Sequence, residues 1–308
     1  MGGMTKDDKT LHKRTVFLER VRQIVPKFRI DMLRGRRQSI RVNTLKSETD
    51  LGLQNPIEWA PHCYWHEGDR ASLTHSEDVT KGLAYVQNAA SFIPPIVMQP
   101  KAKDRILDVC AAPGGKASHI AALTDNKADL WVNDNSRPRL NRMIDIFSTL
   151  GVKTTNMTLY AIDSLRHQLP HEYFDKILLD APCSGEGMVD LDDPKALDHW
   201  SVAQIKRLQR IQKKAIVTAW DLLRPGGVLV YSTCTMAPEE NEAVVDYLLR
   251  KQETAQLQPI ELDLPNRIPT IKSWNNKTYQ SDLTNCLRLG PSPQIEAFFV
   301  ALIRKPKS

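Results

Sequence analysis

The chain has no apolar run approaching the roughly 18 residues that a membrane span needs, so no spanning helix is expected of it. Its first residues, MGGMTKDDKTLHKR, lack the apolar stretch of a secretory signal and mix acids among the bases, so no clear transit peptide is read there either. Cysteine is scarce. Cys63, Cys110, Cys183, Cys234 and Cys286 are five in number, widely spaced and never arranged as CxxC, which argues against a disulfide framework and for a reducing, cytoplasmic setting. His62, Cys63 and His66 stand close together, but with no second ligand pair nearby a loop is the better reading and no metal is expected. There is no internal repeat or low-complexity tract. The glycines form neither GxxxxGK[ST] nor GxGxxG, so a Walker loop and a dinucleotide fingerprint are both absent.

What is present is ordinary soluble composition: 308 residues, 41% hydrophobic and 25% charged, enough for one large α/β domain with an appendage. The net charge of +6 is unevenly placed, because residues 1–46 carry 13 Lys or Arg against 4 Asp or Glu and the rest carries 29 against 32. A basic N-terminal segment on a slightly acidic body suits a polyanionic partner. Apolar residues from Val16 to Met32 fall near helical spacing, so those charges ride on an amphipathic helix. Residues 1–85 read as a small α+β lobe that would face such a partner through Arg34, Arg36, Arg37 and Arg41, and residues 86–308 as a second, regular domain.

From Arg105 onward, strands and helices alternate as in a parallel sheet covered on both faces. The strand candidates are 105–109, 129–133, 155–160, 175–179, 227–232, 257–262 and 296–303, and a long helix is expected over 201–223. Seven strands is the count of the class I, Rossmann-like methyltransferase sheet. The first strand runs into Cys110, Ala111, Ala112, Pro113, Gly114, Gly115 and Lys116, a turn of small residues where open α/β sheets bind ligands. It suits a nucleoside cofactor without phosphates, such as S-adenosylmethionine. Asp134, at the end of the next strand and 20 residues past Gly114, is placed to take ribose hydroxyls, and Asp163 after the third strand to meet the adenine amino group.

The fourth strand ends at Asp180 and leads into Ala181-Pro182-Cys183, and the fifth leads into Thr233-Cys234-Thr235. Adjacent parallel strands bring these loops together beside the cofactor. Carbon 5 of cytosine is a poor nucleophile, so its methylation needs a thiolate to add at C6 first, with a donor such as Asp180 at N3. Either thiol by itself could be an inert buried residue. Two at matching strand ends are harder to read that way.

Beyond these spacings, the chain resembles the Sun/Fmu family of RNA 5-methylcytosine methyltransferases. The likeness runs through RVNTLK from Arg41, QNAASFIPP from Gln87, LDVCAAPGGK from Leu107, DAPCSGEG from Asp180, LLRPGGVLVYSTCTMAPEENE from Leu222, and RLGPS and EAFFVALIRK near the end. The resemblance implies Cys234 as the nucleophile, Cys183 as the group promoting product release, and Asp180 and Lys116 at the base or the cofactor. It also implies that S-adenosylmethionine is bound by residues 110–116, Asp134, Asp163 and Asp180, and that the substrate is rRNA or tRNA, with the protein acting as a monomer. Where relatives often carry an Arg-Lys pair after Gly187, this chain reads Met188-Val-Asp-Leu-Asp-Asp193. Two other readings compete: a DNA cytosine methyltransferase, in which the Pro-Cys thiol would attack, and a non-catalytic RNA-binding or ribosome-assembly module.

Overall fold

The computed structural model describes residues 6–307. It holds helix α1 (Lys6–Ile24), strands β1 (Gln38–Val42) and β2 (Cys63–His66), short helices α2 (Arg70–Thr74) and α3 (Glu77–Thr80), and β3 (Ala84–Val86). There follow α4 (Ile93–Met98), β4 (Arg105–Asp108), α5 (Gly115–Leu123), β5 (Asp129–Asn133), α6 (Arg137–Leu150), β6 (Asn156–Thr158), α7 (Leu165–Gln168) and β7 (Phe174–Asp180). Then come α8 (Val202–Leu222), β8 (Leu223–Thr233), α9 (Glu242–Lys251), β9 (Gln256–Gln258), the ribbon β10 (Ser273–Trp274) and β11 (Lys277–Thr278), β12 (Leu287–Leu289) and β13 (Phe298–Arg304).

The main sheet runs β12-β13-β8-β7-β4-β5-β6, with β9 pairing β13. Strands β4 to β8 are mutually parallel, and β13 returns antiparallel against β8. The alternation expected of a doubly covered sheet is visible residue by residue. Ile106, Leu178, Val230 and Val300 face one cluster with α4, α5 and α6, whereas Leu107, Leu179, Tyr231 and Phe299 face another with α8 and α9. The sheet has eight strands rather than the expected seven. The extra one, Leu-Arg-Leu in β12, is too short for alternation to reveal. Residues 257–262 contribute only a short strand, β9, at the back of β13.

The small sheet, β2-β1-β3, is wholly antiparallel and separate from the main one. The segment before it does not pack with it. Helix α1 stops ahead of Pro26, as a proline requires of its predecessors, and buries Phe17, Val21 and Ile24 against Val189, Leu191, Trp200, Met236 and Ala237 of the catalytic body. Phe17 meets Trp200 edge-on at 5.2 Å. The expected lobe of residues 1–85 therefore comprises a helix that belongs to the large domain's core and a sheet that leans on it.

That sheet is anchored by main chain. The Asn43 side-chain amide donates to Gly82 O and to Leu150 O, both at 2.8 Å, and so ties the lobe to the end of α6. Gly82 has φ +73°, and a Cβ there would sit 2.1 Å from Thr149 O. An alanine can satisfy neither condition without pushing the lobe away. Gly82→Ala should therefore destabilise the protein by about 2 kcal/mol or more, measured as a lower urea midpoint. A midpoint equal to wild type would show that the lobe does not depend on this contact.

Candidate active site

The cofactor turn begins where β4 ends. Ala111 N–H bonds Asn133 O at 2.8 Å, and the Asn133 side-chain amide bonds Val109 O at 3.0 Å and Tyr160 O at 3.1 Å, which fixes the turn against β5. Gly114 has φ +109°, and a side chain there would strike Phe147 of α6 at 2.8 Å. The turn is small because two elements press on it. With Asp180 it forms one side of a cavity of about 190 Å³, and residues 85–88 and Ser91 of the chain leaving the small sheet form the other.

Asp108 also lines this cavity, fully buried, with neither carboxylate oxygen hydrogen-bonded. Burial, reinforced by the charge of Asp180, pushes its carboxyl up to about 7. An unpartnered buried acid facing a cavity fits a ligand that brings its own cation, as the ammonium and sulfonium of S-adenosylmethionine would. Asp134 touches the turn from behind. Its carboxylate accepts from Ala112 N at 3.3 Å and Ser136 N at 3.0 Å, and pairs with Arg139 at 3.3 Å. Asp163 is exposed past β6 and does not line the cavity. Of the expected cofactor residues, Cys110, Ala111, Ala112, Pro113, Gly115, Lys116 and Asp180 line one space, with Gly114 as the hinge behind them.

The two thiols meet. Asp180 on β7 pairs in register with Ser232 on β8, and the loops that follow bring Cys183 Sγ within 3.3 Å of Cys234 Sγ. Asp180 accepts from Lys116 Nζ at 2.7 Å and from Ser232 Oγ at 2.7 Å, so both its oxygens are held. Burial works to lower the Lys116 ammonium, but the charge and hydrogen bond of Asp180 outweigh it and the group is raised. Gly187 N–H bonds Cys234 O at 2.9 Å, and a Cβ on Gly187 would lie 2.7 Å from that oxygen and 2.1 Å from Ala297 O. The Cys183 loop, the Cys234 loop and the start of β13 thus touch through bare backbone.

A family profile described as 16S rRNA methyltransferase RsmB/F matches residues 95–304. The chain belongs to the RsmB/F family. It is 37% identical over 282 residues to a protein of Pyrococcus abyssi named tRNA (cytosine(49)-C(5))-methyltransferase, covering 88% of this chain and 89% of that one. It is 38% identical over 252 residues to the Ribosomal RNA small subunit methyltransferase F of Pectobacterium carotovorum, covering 75% of this chain and 52% of that relative, so it spans about half that relative's length. A crystal structure of a methyltransferase homolog from Pyrococcus horikoshii superposes with a TM-score of 0.79 at 28% identity, covering 98% of this chain and all of the other.

In this RsmB/F member the thiol loops are held by a carboxylate clamp that the motifs did not reveal. Glu240 accepts from Ser184 N at 3.1 Å, from Ser184 Oγ, and from the Gln212 amide at 2.9 Å, while Gln212 also donates to Pro182 O at 2.9 Å. Asn241 spans the other loop, accepting from Thr233 Oγ1 and donating to Thr235 O at 2.9 Å, on either side of Cys234. Glu186 accepts from Trp200 Nε1 at 2.9 Å and Thr235 Oγ1 at 3.3 Å. The only sequence signal for these roles is the acid-rich PEENE run after the second thiol. Cys183 is pushed well up by its hydrogen bond with Cys234, by burial and by the charges of Cys234 and Glu240. The cations on the other side of the pair, Lys116 and Arg36, both lie within Coulombic reach of Cys234.

The four arginines expected to meet RNA separate. Arg34 is exposed and pairs with Asp192 at 3.5 Å. Arg36 is half-buried and donates to Val189 O at 2.9 Å, and Arg37 pairs with Glu67. Arg41 is a correction: it is 1% exposed and donates to Ser118 Oγ at 2.9 Å, so from β1 it faces α5 inside the protein and cannot reach a phosphate. A count of charge along the chain does not see that β1 is covered on that face.

Burial also raises Glu240 to about 7, against the opposing Ser184 and Gln212 bonds. A carboxyl whose folded value lies above its unfolded one stabilises fully below the unfolded value, and that stability is lost as pH rises through the folded value. For Glu240 the window runs from 4.5 to about 7, and for Asp108 from 3.8 to about 7. The cofactor-free protein should therefore lose unfolding free energy between about pH 4 and pH 7, and Glu240→Gln should flatten that slope. Urea titrations across the range check this, and an unchanged slope in the variant would remove Glu240 as a source.

Proposed function

We propose that this chain is an S-adenosylmethionine-dependent RNA (cytosine-C5) methyltransferase that works through a covalent adduct on Cys234. The observation that carries the reading is the pair of thiols 3.3 Å apart on adjacent strand ends, beside an Asp–Lys pair and a small-residue turn. Family membership supports the reaction class, and the relatives named for tRNA and for small-subunit rRNA bracket the substrate class. S-adenosylmethionine would be held by residues 108–116 and Asp180, and when bound it supplies an electrophilic methyl group.

The remaining chemistry falls to the chain's own groups. The Cys234 thiolate forms a bond to C6 of an extruded cytosine, and the electron pair of the C5–C6 double bond moves toward C5. Lys116 and Arg36 lie within Coulombic reach of Cys234, whereas the hydrogen bond with Cys234, burial and the charge of Glu240 hold Cys183 in its thiol form. Asp180, held by Lys116 and Ser232, is oriented toward N3, where a proton brought by its carboxyl and shared between the two assists the addition. After methylation at C5 the C5 proton passes to a solvent water, its C–H electrons re-form the ring double bond, and the C6–S bond breaks with its electrons returning to sulfur. Cys183, still a thiol beside the bond that breaks, can give its proton to the departing Cys234 sulfur. Exposed Arg34 and partly exposed Arg37 serve the phosphate backbone, so affinity should fall steeply with salt.

The two thiols separate the readings. Cys234→Ala should abolish methyl transfer and form no adduct, whereas Cys183→Ala should add, methylate and then fail to release, leaving a protein–RNA complex stable to denaturing electrophoresis. An adduct formed by Cys234→Ala that depends on Cys183 would reverse the roles and favour the DNA-type arrangement. Full activity in both variants would assign the thiols to packing.

A further inference from the structure

Away from the thiols, the small sheet carries a second recess. Residues 55–65 fold back on themselves through Ile57 N–H to Cys63 O at 2.8 Å and Trp65 N–H to Asn55 O at 2.9 Å. This brings Trp59 and Trp65, both half-buried, to a groove of about 380 Å³ closed by Pro265 and rimmed by Glu58, Asp263 and Gln294. The Arg37 guanidinium lies 5.3 Å from the centre of the Trp65 ring.

The groove is joined to the thiol site through two neighbouring backbone segments. Arg37 N–H bonds Pro293 O at 2.9 Å, which sets residues 36–37 alongside 293–296. Gln294 lines the groove and Arg37 lies over Trp65 of its wall, whereas Arg36 and Glu296, one and two residues away, lie in each other's field, with Cys234 also within reach of Arg36.

We propose that the groove is a second nucleotide subsite, taking an unpaired base beside the extruded cytosine by stacking it on Trp59 and Trp65. The inference rests on the RNA reading above. Extruding a base leaves its neighbour with an uncovered face, and indole faces replace lost stacking for any base. The rim favours a base over other occupants. Glu58 and Asp263 repel a phosphate, accept from amino or imino groups on a base edge, and would be left unpaired by an apolar helix. Arg37, stacked on Trp65, can face the phosphate that links the two nucleotides.

The test uses the wild-type protein and total RNA from cells lacking the gene, which contains the target whatever its identity. Ultraviolet cross-linking followed by peptide sequencing should find nucleotides attached at Trp59 or Trp65. Cross-links confined to other segments would overturn the subsite and leave the RNA reading standing, whereas no cross-link and no methyl transfer to that RNA would overturn both. In parallel, Trp59→Leu with Trp65→Leu should raise the KM for RNA about tenfold or more, with cofactor affinity and melting temperature kept. Phe at both positions should restore most of the loss. An unchanged KM at an unchanged melting temperature would reduce the two rings to packing.

Discussion

Two sulfur atoms 3.3 Å apart on different loops are the constraint around which the rest of this protein is arranged. Neither loop is a regular element, so each must be held by something else, and the holding groups are polar and buried. Glu240 and Gln212 grip the residues on both sides of Cys183, Asn241 grips those on both sides of Cys234, and Gly187 joins the two loops by a main-chain bond. Burying acids at these positions is costly unless their partners stay in place. The cost is visible in the raised carboxyls of Glu240 and Glu186. Arg20, itself buried, lies 3.8 Å from Glu186 and forms a two-point contact with Glu239, so α1 completes the charge balance of a site it does not reach.

The surroundings of the two thiols are asymmetric. On the Cys234 side stand Lys116 and Arg36; on the Cys183 side stands Glu240. Two identical side chains in contact thereby sit in different fields, and the Cys183 thiol is the one held up. The same Lys116 is bound to Asp180 and faces the Phe298 ring at 5.7 Å, so one ammonium connects the small-residue turn, the end of β7 and the last strand.

What the sequence made legible was the part that is local. Strand followed by small-residue turn followed by helix marks residues 105–123, and Asp180, Cys183 and Cys234 stand just past strand ends that apolar runs announce. The clamp was not legible, because Glu240 and Gln212 act on residues 30 to 56 positions away and no spacing rule connects them. Asp108 was hidden differently: it looks like the last residue of a strand, and only its burial without a partner shows that it faces a cavity. Arg41 misled because charge in a sequence implies surface, whereas its strand runs beneath α5.

The gap between the sulfurs also states a rule about where such chemistry can be built. Neighbouring strands lie about 4.8 Å apart and next-nearest strands about twice that. Side chains leaving β7 and β8 can close to contact with loops of a few residues, whereas next-nearest strands would need longer ones. Strain that spreads β7 and β8 anywhere along their length would therefore be read at the far end as thiols that no longer meet.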